Sequence, residues 1–579
     1  MLSLRRHSHA LRWFAALLLT AESSVNAASS GAPTVFAPVP ETLYAGAPFD
    51  LPRVTLPQIP ARAVSIVDFG ASGDGRTLNT DAFARAIDHL ADQGDGRVVV
   101  PRGIWLTGPI VLRDRIELHT EAGAVVLFSP DRTLYPLVET NFEGGRSMRC
   151  QSPLSANGAQ HIAITGAGVF DGSGQAWRPV KRAKLTEAQW RDLVASGGVL
   201  DDSGQIWWPS AGALAGARGD GRFRDGRPTR EDFERIRDFL RPVMVSLRGC
   251  RQVLIDGPTF QNSPAWNLHP LLCEDVVIRH VTVLNPWYSQ NGDGLDLDSC
   301  RNGVVYGCTF DVGDDAICLK SGKDAEGRAR GRPTENFVIR DNVVYHGHGG
   351  FIVGSEMSGG VRNIFAADLT FIGTDVGIRF KSTRGRGGVV ENIHIDGVNM
   401  LNIPTEPIHF NLFYSGSAPA EDDAATADPA DYLSRFPAVS ETTPSFRHIT
   451  ISNVICRGAG TAMWIRGLPE MPVQDVRLEN VRITATRGAR LIDVAGIQFD
   501  RVQIEASEGP LLQLQNAQSF VARDTAIART AGSSGPLDVR VAGPLTRDVD
   551  LRGMTSPAGP LEFLVTPTLP AGRVQLPTR

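Results

Sequence analysis

The chain has 579 residues, of which 42% are hydrophobic and 21% are charged, so it can bury a large core. Its 60 glycines and 37 prolines predict many turns and few long helices. The net charge of −5 and the lack of a basic stripe exclude a protein built to bind nucleic acid.

The first 27 residues are typical of a secretion signal. Three arginines precede the apolar run 13–20, and small residues end at Ala27, where cleavage is expected. The apolar run is too short to span a bilayer. We therefore predict an exported protein, periplasmic or secreted, with no membrane anchor. Removing the signal would lower the net charge from −5 to −7.

Two further segments precede the first predicted strands, which begin at Val98. Residues 28–63 are rich in proline and alanine and predict an extended arm. Residues Asp81–Gln93 carry apolar side chains at helical spacing, with Thr80 as the predicted cap. One helix before a long β region suits the lid that closes the end of a solenoid.

From Val253 onward the sequence repeats. Eight segments align on one apolar position, and the residues two and seven positions later are also mostly apolar; the aligned residues are Val253, Val276, Gly303, Phe337, Ile364, Ile393, Ile449 and Val476. Four positions later, seven of the eight segments carry glycine, asparagine or aspartate, which tolerate a left-handed bend. A β-sandwich would show hairpin turns instead. We predict an all-β, right-handed parallel β-helix with an N-terminal capping helix.

The repeat also predicts the boundaries of the domain. The β-helix is expected over 64–530, with a C-terminal β extension over 531–579. The repeat is weak beyond about Gln503, so the end of the chain is predicted to form irregular strands that close the stack. Surface insertions are expected at about 175–242 and 402–445. The first is partly helical, at Glu187–Ala195 and Arg230–Phe239, and its tryptophans either pack the insertion or line a sugar site; they are Trp177, Trp190, Trp207 and Trp208.

Three of the seven cysteines occupy one column of the repeat. Cys250, Cys273 and Cys300 stand where later coils have valine or another apolar residue. They are therefore predicted to be small buried apolar side chains, with a disulfide between coils as the alternative.

Six charged or titratable side chains fall in the same third of successive coils. They are Asp293, Asp314, Asp315, His348, Arg379 and Lys381, which lie 11 to 17 positions after their anchors. Parallel strands stack about 4.8 Å apart, so we expect these groups to share one face, with Asp314 beside His348. Asp314 and Asp315 can reach one site only if the strand bends or ends there, which Gly313 allows.

This set of groups suits hydrolysis of a glycosidic bond. Carboxylates close together repel one another, which raises the pKa of at least one and supplies an acid and a base at the same pH. One acid can then protonate the leaving oxygen while the others activate water. Arg379 and Lys381 suit a sugar that is itself an acid.

Four short motifs carry a resemblance to the polygalacturonase family, glycoside hydrolase family 28. They are Asn291-Gly292-Asp293, Gly313-Asp314-Asp315, Gly347-His348-Gly349 and Arg379-Phe380-Lys381. The resemblance covers roughly Val64 to Arg482. It implies that Asp314 donates the proton and that Asp293 and Asp315 hold and deprotonate the water. His348 would tune Asp314, while Arg379 and Lys381 would bind the substrate carboxylate.

The resemblance further implies a pectin-degrading polygalacturonase that cuts α-1,4-linked galacturonic acid with inversion, with no cofactor or metal. Inversion implies carboxyl groups about 6.5–9.5 Å apart. The long first insertion is similar to that of bacterial exo-acting members, which predicts release of galacturonic acid from chain ends. Endo-cleavage or a rhamnogalacturonan substrate is the alternative within the family.

Two other classes of protein remain as alternatives at this stage. A calcium-dependent pectate lyase would use the three carboxylates as metal ligands. A non-catalytic carbohydrate-binding β-helix would retain them without turnover. The oligomeric state is left open.

Overall fold

The computed structural model describes residues 33–219, 229–418, 428–533 and 537–577. The predicted secretion signal lies outside these residues. The described chain winds into a right-handed parallel β-helix, as predicted, whose coils contribute strands to three parallel sheets that we name A, B and C.

The short strands are grouped by their parallel pairings. Sheet A contains Ala63–Ser65, Gly96–Val100, Ile116–Thr120, Gln160–Gly166, Arg251–Asp256, Glu274–Arg279, Arg301–Tyr306, Thr334–Arg340, Val521–Arg523, Val549–Asp550 and Val574–Gln575. Sheet B contains Gly103–Thr107, Ala124–Phe128, Val169–Asp171, Thr259–Gln261, Thr282–Leu284, Thr309–Asp311, Val343–Val344, Thr525–Arg529 and Met554–Thr555. Sheet C contains Ile110–Val111, Leu154–Asn157, Val245–Arg248, Leu268–Leu271, Leu295–Asp298, Asp315–Lys320, Gly349–Gly354, Ile378–Lys381, Ile408–Asn411, Asp538–Ala542 and Glu562–Val565.

Longer strands pass through several sheets. Val361–Ile372 and Val389–Ile403 serve sheets A and B, whereas Ser445–Arg466, Val473–Ala495 and Gln498–Gln518 serve all three. Strands outside the β-helix are Pro33–Thr34, Ile59–Pro60, Leu137–Phe142, Gly145–Cys150, Val180–Lys181, Val199–Leu200 and Ile206–Trp208. The α-helices are Thr80–Asp92, Glu187–Ala195, Ala211–Ala217, Arg230–Arg235, Asp324–Arg330 and Pro429–Ser434. Short 3-10 helices span Glu41–Tyr44, Ile66–Phe69, Arg132–Leu134, Gly174–Ala176, Arg182–Lys184 and Arg237–Phe239.

The strand register confirms the sequence repeat. Each of the eight anchors pairs with the next one, from Val253 opposite Val276 to Ile449 opposite Val476. The column four positions later has positive φ in all eight coils, as at His280 and Asn453. The side chains of the anchor column point into one continuous core that runs the length of the β-helix.

A second bend escaped the sequence analysis. The residue just before each anchor also has positive φ, and four asparagines stack there side chain to side chain; they are Asn302, Asn336, Asn363 and Asn392. Asparagine tolerates this backbone conformation, and its amide bonds to the asparagine of the next coil.

The cysteine prediction is confirmed. All seven cysteines are buried and free, and no disulfide joins any pair within the described residues, which include every cysteine of the chain. The column that holds Cys250, Cys273 and Cys300 continues with the buried Thr334 and then with buried apolar residues in the later coils.

The arm and the capping helix are both present. Leu43, Leu51 and Ile59 of the arm pack on the apolar outer face of sheet A. The cap spans Thr80–Asp92, one residue earlier than expected. Thr80 is therefore not the cap as predicted; Asn79 precedes the helix, and its side chain binds the backbone of the preceding loop instead.

The structure of the first insertion agrees in part with the prediction. Glu187–Ala195 has the predicted bounds and a capping box at Thr186, whereas the second helix ends at Arg235 and continues as a 3-10 turn. Of the four tryptophans, three are buried in the packing of the insertion, and Trp208 contacts Phe239. Packing, not a sugar site, accounts for them.

The C-terminal coils are more regular than the sequence suggested. Gln498–Gln518 continues all three sheets, and parallel pairing extends through Asp538–Ala542 to Glu562–Val565. The weakly repeating residues beyond Gln503 thus form ordinary coils, not irregular strands. Within the described ranges, no helix has the length and apolar character needed to cross a membrane.

Candidate active site

The site lies on the outer face of sheet C. In each strand of this sheet, alternate side chains point into the core, as Leu295 and Leu297 do, so the residues between them point outward. Asp296 is one of these, and the same alternation places Arg379 outward between Ile378 and Phe380. Sequence-distant polar groups therefore meet on this face.

Three carboxylates meet where two neighbouring strands begin. Asp315 is the first residue of its strand, Asp314 sits in the bend before it, and Asp293 precedes the adjacent strand Leu295–Asp298. One oxygen from each lies within 4.8 Å of the others. Gly313 is required by close packing, because a Cβ there would lie 2.5 Å from the backbone oxygen of Pro286.

The three carboxylates differ in exposure. The residues Asp293 and Asp315 are 3% and 1% exposed, whereas the side chain of Asp314 is 23% exposed. Asp314 is therefore the acid that faces the cleft. Its carboxylate also accepts a 3.0 Å hydrogen bond from the backbone N–H of Asp315, which fixes its orientation.

Burial and charge separate the pKa values of these acids. Burial, and then repulsion from Asp314, raises the pKa of Asp293 well above its usual range. Burial and repulsion from Asp315 likewise raise the pKa of Asp314. For Asp315, burial acts in the same direction, but the attraction of Lys381 and Arg379 outweighs it and lowers the pKa. The site therefore holds an ionised carboxylate beside two that retain protons more readily.

His348 lies one coil beyond Asp314, as predicted. Its Nδ1 is 3.5 Å from Oδ1 of Asp314, and its Nε2 is 3.7 Å from Asp375. Its backbone N–H also donates to the carbonyl of Asp314. The imidazole thus stands beside the most exposed of the three acids.

The two predicted cations contact the same cluster from the other side. Lys381 donates a 2.5 Å hydrogen bond to Asp315, and a guanidinium nitrogen of Arg379 lies 3.9 Å from the other oxygen of that carboxylate. Both cations lie over the ring of Tyr414, at 5.1 and 5.6 Å from its centroid. The structure therefore brings all six predicted residues together.

A buried ionic cluster beneath the three acids was missed by the sequence analysis. Lys320, 3% exposed, lies 3.1 Å from Glu356 and 3.5 Å from Asp296, and its ammonium group sits 4.5 Å from the ring of Trp266. Burial raises the pKa of Asp296 to about 8. Charged residues at alternate positions of strands just after the acidic motifs were the signal that could have revealed this cluster.

A hairpin packs beside sheet C on the N-terminal side of the acids. Its strands are Leu137–Phe142 and Gly145–Cys150, and Phe142 stacks on Trp266 at 5.1 Å. The tip is held by Glu326, whose carboxylate accepts from the backbone of Arg146. Gly144 at the tip packs so closely that a Cβ would lie 2.8 Å from Lys323. Nothing in the sequence indicated that this segment would lie beside the site.

The family model for glycosyl hydrolases family 28 matches residues 180–492, more than half of the chain. The chain belongs to glycosyl hydrolases family 28. It is 29% identical over 452 residues to a probable polygalacturonase of Vitis vinifera, covering 76% of this chain and 78% of that protein. It is 28% identical over 456 residues to an exo-poly-alpha-D-galacturonosidase of Dickeya chrysanthemi, covering 76% and 70% of the two chains.

A solved structure agrees with the family assignment. The hyperthermoactive exopolygalacturonase of Thermotoga maritima is 34% identical, with a TM-score of 0.59, and the match covers 75% of this chain and 89% of that one. Membership of a hydrolase family makes this protein a glycosidase and removes the lyase alternative. The three carboxylates are spaced closely enough to hold a cation, but Lys381 and Arg379 already balance part of their charge.

The spacing of the acids differs from the expectation for inversion. The nearest oxygens of Asp293, Asp314 and Asp315 lie within 4.8 Å, which is below the range of about 6.5–9.5 Å between carboxyl groups. That range applies to two acids that flank the glycosidic bond, whereas three acids cluster here. Two of them can therefore share one water molecule while the third faces the leaving oxygen. The spacing alone therefore does not assign the stereochemistry.

Proposed function

We propose that this protein is an inverting exo-polygalacturonase that removes galacturonic acid from the ends of pectic chains. The observation that carries the proposal is the cleft itself. Three carboxylates and two cations converge on one face, and the hairpin closes that face on one side. The carboxylates can hydrolyse a glycosidic bond, and the two cations can bind the carboxylate of a uronic acid. A cleft that is closed on one side would accept the end of a chain.

The residue roles follow from exposure and charge. Asp314, the most exposed acid, protonates the leaving oxygen and is tuned by His348. Asp293 and Asp315 hold the attacking water, with Asp315 kept ionised by Lys381 and able to take its proton. Arg379 and Lys381 bind the carboxylate of the sugar next to the bond.

Two observations support action at chain ends. Phe142 stacks on Trp266 on the N-terminal side of the acids, and this packing is expected to stop a polymer from continuing in that direction. The relatives from Dickeya chrysanthemi and Thermotoga maritima are both named as exo-acting enzymes. The predicted secretion signal would place the enzyme outside the cytoplasm, where a polymer substrate is found.

The product profile on polygalacturonate tests this proposal directly. Chromatography over time should show galacturonic acid alone from the first sample, with little loss of viscosity. Early oligomers would mean endo-cleavage, and no new reducing ends would leave the non-catalytic binding alternative. Shortening the hairpin, by replacing Asn141–Arg146 with a two-residue turn, should admit early oligomers if the hairpin enforces the exo mode.

The stereochemical outcome is a separate prediction. If water attacks directly, cleavage of the α-linked substrate should yield the β-anomer first, because the attack occurs on the face opposite the leaving group. Proton NMR of the anomeric signals, recorded before mutarotation, measures this. The α-anomer appearing first would instead indicate a covalent intermediate and two displacements.

Replacement of Arg379 is expected to weaken substrate binding more than turnover. Arg379→Ala removes a planar donor for the substrate carboxylate while Lys381 remains on Asp315, so we expect KM to rise about tenfold with a smaller change in kcat. Steady-state kinetics on polygalacturonate measure both. Arg384→Ala is the matched control, because Arg384 pairs with Glu470 away from the acids. An unchanged KM for Arg379→Ala would contradict the carboxylate clamp.

Lys320→Met is expected to shift the pH profile. Lys320 lowers the pKa of Asp293, Asp314 and Asp315 through its charge, so these acids hold protons more tightly without it. The acidic limb of kcat/KM should therefore move to higher pH, with a larger loss of activity at pH 4 than at pH 6. Lys320→Arg should restore much of the wild-type profile. A uniform loss at every pH would indicate a purely structural role.

A further inference from the structure

The outer face of sheet C continues for several coils beyond Arg379. The outward position of Arg379 pairs with His409 and then with Trp464, Arg490, Gln513 and Arg540 in successive strands. Both neighbours of each of these residues along the strand point into the core, so the six side chains form one row on the surface. At about 4.8 Å per coil, the row extends roughly 24 Å from Arg379 to Arg540.

The residues in this row and beside it suit an acidic sugar chain. Arg487 and Arg540 are exposed and Arg490 is half-buried, and together with Gln513 and Gln515 they line a cleft of about 700 Å³. Trp464, also half-buried, stands between this cleft and the active site and packs edge-on against His409. Arginine binds carboxylates, amides bind hydroxyl groups, and an indole offers an apolar face to a sugar ring.

The acids near the cleft lie outside its lining. Asp538 is buried and bonds to Arg540 at 2.8 Å, which holds that guanidinium in place on the surface. Glu508 lies opposite Arg487 and Glu562 opposite Asp538, both at the margin of the row and not in it. The lining of the cleft carries three arginines and no acid, and a lining of this charge attracts a polyanion.

We propose that the surface from Trp464 to Arg540 is a second binding site, which holds the uncleaved remainder of an acidic polysaccharide chain. The inference rests on the proposed function, because the chain end must lie in the closed cleft for its remainder to follow this row. A uronic acid polymer carries a carboxylate on every sugar, so it can meet arginines on more than one coil. Trp464, Arg487 and Arg490 lie within residues 180–492 that the family model matches, whereas Gln513 and Arg540 lie beyond them.

Kinetics with two substrate lengths test the proposal. Trigalacturonate ends near Arg379, whereas polygalacturonate reaches Arg487 and Arg490, about five coils from the acids. For Arg487→Gln/Arg490→Gln, the ratio of kcat/KM on polygalacturonate to kcat/KM on trigalacturonate should fall about threefold to tenfold, the range for two exposed ion pairs. Added NaCl should lower the same ratio in the wild type and have less effect in the variant, because salt screens exposed charges.

Matched variants separate the site from general damage. Arg482→Gln alters an exposed arginine on the strand Val473–Ala495 that also carries Arg490, but on sheet B, and should leave the ratio unchanged. Arg540→Gln is a second variant with the same expectation as the double variant, checked by its thermal transition. An unchanged ratio in both Arg487→Gln/Arg490→Gln and Arg540→Gln overturns the second site. A wild type that cleaves neither substrate overturns the proposed function instead.

Discussion

Asp314→Asn is expected to lower kcat on polygalacturonate about 10³-fold while the protein stays folded. The amide keeps the shape of the carboxyl group but cannot donate a proton to the leaving oxygen, and loss of a general acid typically costs two to four orders of magnitude. The residue is the most exposed of the three acids, so its replacement leaves no buried charge unpaired. Initial rates of reducing-end formation measure the effect.

A control on the same coil makes this result specific. Asp311→Asn changes another half-exposed acid, which pairs with His346 and not with His348, and should retain most of the activity. A galacturonide with a phenolic leaving group needs little protonation, so Asp314→Asn should lose far less activity on it. Near wild-type turnover of polygalacturonate by Asp314→Asn would rule out the assignment of the acid.

Asp293→Asn and Asp315→Asn should both abolish most turnover but change stability in opposite directions. The pKa of Asp315 is lowered in the folded state, so its ionisation stabilises the fold above the unfolded pKa near 3.9, and this contribution disappears as pH falls. Its removal also leaves Lys381 buried without its partner, at a cost of about 3 kcal/mol. Asp315→Asn should therefore lower the Tm at pH 7.

Asp293 behaves in the opposite way. Burial and the neighbouring acids raise its pKa, so its charge opposes folding at neutral pH. Asp293→Asn should raise stability by about 1 kcal/mol at pH 7, as expected for an active-site residue that trades stability for function. The gain should shrink as pH falls toward 4, where the unfolded carboxyl is also protonated. Thermal melts at pH 4 and pH 7 check both variants, and a lower Tm for Asp293→Asn at pH 7 would contradict this electrostatic account.

The repeat made much of the fold predictable. Because parallel strands stack in register, one apolar column from Val253 to Val476 was enough to align the coils, and counting from that column brought Asp293 and Arg379 onto one face. The same counting failed beyond Gln503, although the parallel pairing continues from Gln498–Gln518 into the later coils. It also passed over the asparagine stack, which becomes evident only when four separate coils lie together.

The amino-acid sequence by itself determined the β-helix and the six residues of the candidate site, because both depend on a regular period along the chain. Tertiary structure alone decided where the hairpin Leu137–Cys150 lies, since it reaches Trp266 and Glu326 across more than a hundred residues. It also decided the charge balance, because the partners of Lys320 come from different coils. No period links these segments, so only their packing in three dimensions brings them together.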